Sequence, residues 1–149
     1  MTLLFDHHVL LNCNTVIDYV FEKTNYFTNK ENLDAKELSD GNINYVFKVW
    51  DTVSGKSLVV KQADKFLRSS GRPLDVKRNK IEAEILQIEG KLAPGFVPAV
   101  YLYDDKMNVL VMEDISKYLN LRKELLLGKT FDFFAEDIST FICKTLVPT

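Results

Sequence analysis

Two residues in this chain combine a chemically useful type with a useful setting. Lys61 closes the apolar run SLVVK, and Glu82 lies in the stretch IEAEIL about twenty residues later. An amine held beside a carboxylate is a fixed positive charge, suited to gripping an anionic ligand through charge-assisted hydrogen bonds. Taken singly, each has a plainer explanation. Lys61 could be a surface lysine whose stem lies along apolar neighbours, and Glu82 could pair with Arg78 on an exposed helix. The elements that carry the two residues decide between these readings.

Lys61 belongs to a hairpin. From Tyr45 to Asp51, Tyr45, Phe47 and Val49 alternate with Val46, Lys48 and Trp50, and the aromatic and β-branched types suit a pleated surface. Ser54-Gly55 supplies the turn. Ser57 to Gln62 then alternates again, with Leu58 and Val60 on one face and Val59 and Lys61 on the other. A glycine at Gly41 marks a second turn ahead of the hairpin. Glu82 belongs to a helix expected from about Asp75 to Gly90, with Pro73 and Asp75 as start signals. At about 100° per residue, Ile81, Ile85 and Ile88 share one side, and Leu86 widens that apolar arc toward Glu82. Glu82 is therefore expected at a core edge, where an unpaired charge is costly and a cation should meet it.

The remaining elements follow in order. Asn14 to Lys23 reads as a short amphipathic helix with Val16, Ile17, Val20 and Phe21 inward and Asn14 or Thr15 as its cap. Thr24 to Lys36 reads as a polar connector, and a first strand is expected to include Leu38. Phe66 to Arg72 reads as a loop or short helix. Phe96 to Tyr103 and Val109 to Met112 form a second hairpin around Asp104 to Asn108, with Pro98 at an edge or strand start. The strand then breaks into the polar crossing Glu113 to Ser116. Leu119 to Leu127 and Phe134 to Leu146 are helix candidates, the second with a stripe of Phe134, Ile138, Phe141, Ile142 and Leu146.

At 149 residues, 46% hydrophobic and 27% charged, the chain has the balance of one globular domain with a core. A net charge of -2 argues against a nucleic-acid partner. Cys13 and Cys143 have no CxxC spacing and are expected as free thiols in a reducing, cytoplasmic setting. Met1 to Asn12 has neither the basic start nor the unbroken apolar run of a signal peptide. No window approaches a membrane span. His7 and His8 are adjacent and point in different directions, so no shared metal is expected. A P-loop would need GxxxxGK[ST], and an EF-hand would need an acidic residue where Lys36 stands.

A glycine turn before the second strand, a lysine ending the third and a glutamate on the next helix make up the pattern of a protein-kinase-like small lobe. The wording is more specific. DGNINYVF (Asp40 to Phe47), VVKQA (Val59 to Ala63), IEAEIL within Arg78 to Leu86, FVPAVYLYD (Phe96 to Asp104), VMEDIS (Val111 to Ser116) and LRKELLLG (Leu121 to Gly128) resemble the N-terminal lobe of the S-methyl-5-thioribose kinase family. The resemblance runs from about Val16 to the end. It implies an α+β fold with a five-stranded antiparallel sheet and a flanking helix. It also implies ATP-dependent phosphorylation of the anomeric hydroxyl of 5-methylthioribose in methionine salvage, with ATP and Mg2+ as cofactors. By position, Asn44 and Lys61 would contact the nucleotide phosphates, and Glu82 would pair with Lys61. Glu113, Asp114 and Ile115 would line adenine, through Glu113 C=O and Ile115 N–H.

The sequence departs from kinase patterns in two places. Only Gly41 remains of a GxGxxG loop, as in the related aminoglycoside and choline kinases. The HGDLH-type loop and DPE-type aspartate of the family's catalytic half have no counterpart here, since no histidine follows His8. The chain is accordingly expected to carry no catalytic base and no metal ligand, and to be inactive alone. The expected division is a helix and connector over 1–36, a small lobe over 37–116 with its hinge at 113–116, and the first helices of a larger lobe over 117–149. Val46, Val59, the inner face of the hinge and the Phe134 to Leu146 stripe would then face water, favouring a complementing lobe or self-association. A non-catalytic nucleotide-binding or scaffold role, or a choline- or aminoglycoside-type substrate, stays open beside the sugar-kinase reading.

Overall fold

A computed structural model describes residues 5–38, 43–67 and 70–147. The elements are α1 (Cys13–Lys23), a 3-10 turn (Lys30–Asn32), β1 (Leu33–Glu37), β2 (Asn44–Asp51), β3 (Ser57–Ala63), α2 (Arg78–Leu92), β4 (Val100–Asp104), β5 (Val109–Glu113), α3 (Leu121–Leu126) and α4 (Phe134–Thr145). The five strands form one antiparallel sheet in the order β1-β2-β3-β5-β4. The turn at Gly41 lies outside the described residues, as do parts of the Phe66 to Arg72 segment.

The sheet has two covered faces. Phe47, Val49, Leu58, Val60, Val109 and Val111 turn to one side and pack with Val16, Tyr19 and Val20 of α1 and with Phe5, Leu11, Phe27 and Met107. Val59, Leu110 and Met112 turn to the other side and pack with Ala83 of α2, joined by Val46 and Leu86. Period-two alternation on β3 and β5 therefore serves two cores at once. That is why VLVM in β5 is buried throughout.

α1 starts one residue earlier than the periodicity predicts, and its cap is Asn12 rather than Asn14 or Thr15. The Asn12 side chain accepts from Asn14 and Thr15 N–H, and Thr15 Oγ1 accepts from Asn12 N–H, a closed capping box. The buried Tyr19, absent from the predicted stripe, donates to Asp104 Oδ2 at 3.0 Å. Its phenol is pushed far up by burial and by the Asp104 carboxylate.

The segment expected to be connector up to Lys36 contains β1. As an edge strand it needs only one apolar row, and Leu33 and Ala35 are too few to stand out as period two in sequence. Leu38 lies beyond the strand, although its N–H still donates to Val46 C=O. α2 begins at Arg78, three residues later than expected, because the Asp75 carboxylate closes a turn onto Lys77 N–H before the helix starts. β4 begins at Val100, so Phe96 to Ala99 precede the strand and Pro98 makes no ladder. α3 is shorter than expected, since Asn120 caps it. α4 matches its predicted span to one residue.

The largest correction concerns the face of α2. Ile81, Ile85 and Ile88, expected to be inward, are each about half exposed. Asn79, Ala83 and Leu86 face the sheet instead. Ala83 packs there against Val59, Leu110 and Met112, and Asn79 reaches the main-chain carbonyls of Lys61 and Asn108, partners that the isoleucine row could not use. A further correction is Val59, which is buried under α2 rather than open to water. The stripe on α4 is exposed as expected at Phe134, Ile138, Ile142 and Leu146. Phe141 of that stripe stacks on Phe96.

Candidate functional site

Strand β3 carries Lys61 on the α2 side of the sheet, and the first half of α2 carries Glu82 above it. The Lys61 amine donates to Glu82 Oε1 at 2.6 Å. The two side chains are 25% and 35% exposed, so a ligand can reach the pair. A pair with this exposure contributes on the order of 1 kcal/mol to stability or less, so its larger effect is to aim the amine. The sequence places Glu82 beside a cation through the isoleucine arc. The structure reaches the same contact from the other side, since Glu82 borders the Asn79, Ala83 and Leu86 face.

Arg78, the other candidate partner of Glu82, is engaged elsewhere. Its guanidinium donates to Asn44 Oδ1 at 2.8 and 3.2 Å and to the carbonyls of Ile43, Asp64 and Asp75. Burial pulls its pKa down while Asp64 and Asp75 oppose that shift. Asn44 also donates to Asn79 Oδ1 at 2.9 Å. Both polar atoms of the Asn44 side chain are therefore bonded to α2.

The crossing after β5 forms the far wall. Asp114 Oδ2 accepts from Lys48 Nζ at 2.8 Å and Ser57 Oγ at 2.7 Å, and Oδ1 accepts from Ser116 N–H at 2.8 Å. Burial by itself would raise this carboxyl's pKa, but these hydrogen bonds outweigh it and hold the group well below the usual carboxylate range. Asp114 thus ties the crossing to β2 and β3. Glu113 N–H donates to Ala99 C=O at 2.8 Å, its Oε2 accepts from Ala99 N–H at 3.3 Å, and Lys117 lies 3.8 Å from Oε1. The Ile115 side chain is exposed. Between Lys61 and the crossing lie Val59 and Met112, both buried against Ala83 of α2, with Val46 partly buried beside them.

The structure therefore brings Lys61 and Glu82 together and places Glu113, Asp114 and Ile115 farther along the chain from Leu110, the cross-strand partner of Lys61. Asn44 lies beside α2. Arg78, Asn79, Lys48 and Ser57 were missed as site-supporting residues. The one sequence signal for Asn79 was its position one turn before Glu82, on the same helix face. Among the described residues, no group of three His, Cys, Asp or Glu side chains could hold a metal ion.

The sheet, its flanking helices and the strand-to-helix ion pair have the architecture of a kinase-like small lobe. No family model matches the chain. It is 39% identical over 137 residues to the methylthioribose kinase of Bacillus thuringiensis subsp. konkukian, covering 91% of this chain and 34% of that protein. The methylthioribose kinases of Bacillus cereus and Bacillus mycoides match over the same share at 38% and 39%. The chain is thus homologous to methylthioribose kinases along most of its length, and it spans about a third of the length of these relatives.

Proposed function

We propose that this chain is the nucleotide-holding lobe of an ATP-dependent sugar kinase that phosphorylates the anomeric hydroxyl of 5-methylthioribose in methionine salvage. The observation that carries the reading is the Lys61–Glu82 contact of 2.6 Å, on the same face of the sheet as Val59 and Met112, which lead along β3 and β5 toward the Glu113 to Ser116 crossing. In a chain homologous to methylthioribose kinases, that is the arrangement needed to hold a polyphosphate at one end and a planar base at the other.

In this reading Lys61 neutralises charge on the α/β-phosphates, and Glu82 keeps the amine from swinging toward solvent. Glu113 C=O and Ile115 N–H supply the acceptor and donor that adenine needs in a row. Asp114 lines that wall by its main chain and fixes it by its carboxylate. Asn44 lies near the phosphates with its side chain committed to α2. Mg2+ would screen the phosphate charge, and no group of three His, Cys, Asp or Glu among the described residues forms a site for it. The 113–116 hinge divides a small lobe from the start of a larger one. A cytoplasmic setting belongs to the same proposal; no helix among the described residues is long and apolar enough to cross a membrane.

Nuclear magnetic resonance titration with ATP tests the binding role. Shifts confined to Lys61 and residues 113–116, lost in Lys61→Ala, are the expected result. No response there at millimolar ATP would reject it. Phosphate transfer to methylthioribose is expected to be absent from this chain alone, and turnover above the uncatalysed background would overturn that assignment of roles.

A further inference from the structure

The N-terminal half of α2 is seated by polar groups. Lys77 at the N-cap makes no side-chain hydrogen bond to the first turn, and Ile81 and Ile85 turn away from the sheet. Asn79 is fully buried. Its Nδ2 donates to the main-chain carbonyls of Lys61 at 3.1 Å and Asn108 at 3.2 Å, and its Oδ1 accepts from Asn44 at 2.9 Å. Both its donor and acceptor atoms are used, and a buried amide that loses a partner is strongly penalised, so the seat is geometrically sharp. Arg78 completes it by holding Asn44 Oδ1 and the carbonyls of Ile43 and Asp64.

α2 therefore grips Lys61 twice. Asn79 holds its carbonyl, and Glu82, three residues on and on the same side of the helix, holds its amine. We propose that Asn44, Arg78 and Asn79 are positioning residues that set the seat of α2 so that Glu82 meets Lys61. The functional meaning rests on the nucleotide reading above; the geometry does not. Asn44 acts here on the helix, and through Ile43 and Asn44 the start of β2 is linked to the same seat.

Acetylation of the 149-residue chain, read at Lys61 by mass spectrometry, tests this without any nucleotide. Glu82→Gln is expected to raise Lys61 modification about fivefold, the population change that a partly exposed ion pair can hold. Asn79→Ala should raise it comparably, with Lys30 and Lys144 unchanged and the helical circular dichroism retained. A purely structural Asn79 would lower stability yet leave Lys61 of the folded molecules at its parental rate, and that result overturns the proposal. An unchanged rate in Glu82→Gln also overturns it, because the pair would then not shield the amine. If Asn79→Ala does not fold, Asn44→Ala removes the shared partner from the less buried end and is read in the same way. A chain that shows the Lys61 response but gives no ATP-dependent shifts keeps this inference and rejects the nucleotide site.

Discussion

The two faces of the sheet are held by different physics. On the α1 side, a helix with a closed capping box inserts Val16, Tyr19 and Val20 into a continuous apolar core. On the α2 side, an uncapped helix buries only Ala83 among its apolar side chains and is located by Asn79, Arg78 and Glu82. Apolar burial is non-directional and fixes that two surfaces meet. Hydrogen bonds and ion pairs are directional and fix where. The larger apolar core lies on the α1 face and is expected to supply most of the stability, and the α2 face fixes the position of the Lys61 amine.

The comparison breaks most visibly if a core residue on the α1 side proves cheap to remove. Phe47 is fully buried there, and Phe47→Ala should cost about 3–5 kcal/mol in urea unfolding. A loss below about 1 kcal/mol would mean that this face does not dominate.

A smaller effect separates the crossing from both cores. The folded-state pKa of Asp114 is depressed, so its contribution to stability is present above the unfolded value of about 3.9 and is lost as pH falls through the folded value. Unfolding measured between about pH 5 and pH 2 should therefore show part of the acid destabilisation missing in Asp114→Asn. The same slope in both proteins would show that the Lys48, Ser57 and Ser116 contacts do not hold the charge.

The smallest effect sharpens the account of α2. Because Ile85 is about half exposed on the outer face, Ile85→Lys should change stability by no more than about 0.5 kcal/mol. A core isoleucine would cost several times that. A loss of that size would restore the isoleucine row as the packed face.

Much of this was legible in sequence where a pattern has one physical cause. Alternation in Tyr45 to Asp51 and Ser57 to Gln62 can bury one row of side chains only as a strand, so β2, β3 and the side on which Lys61 emerges followed directly. β1 was hidden because its pairing comes from β2 rather than from its own residues. The site was half legible. Lys61 and Glu82 could be matched by the cost of leaving a charge unpaired near a core, whereas Arg78 and Asn79 gave no signal of their partners on β2, β3 and the loops, which lie 14 to 35 residues away in sequence.

What the amino-acid sequence determined by itself is the order of elements apart from β1, the apolar rows of β2 and β3 and the charge types at the site, because those depend on neighbours within a turn or two. What only the tertiary structure decided is which of two faces of α2 meets the sheet. Hydrophobicity favours the isoleucine row. Hydrogen bonding favours the face of Asn79 and Ala83, and it wins because the buried amide of Asn79 finds its partners on β2, on β3 and at Asn108, which the chain brings together only on folding.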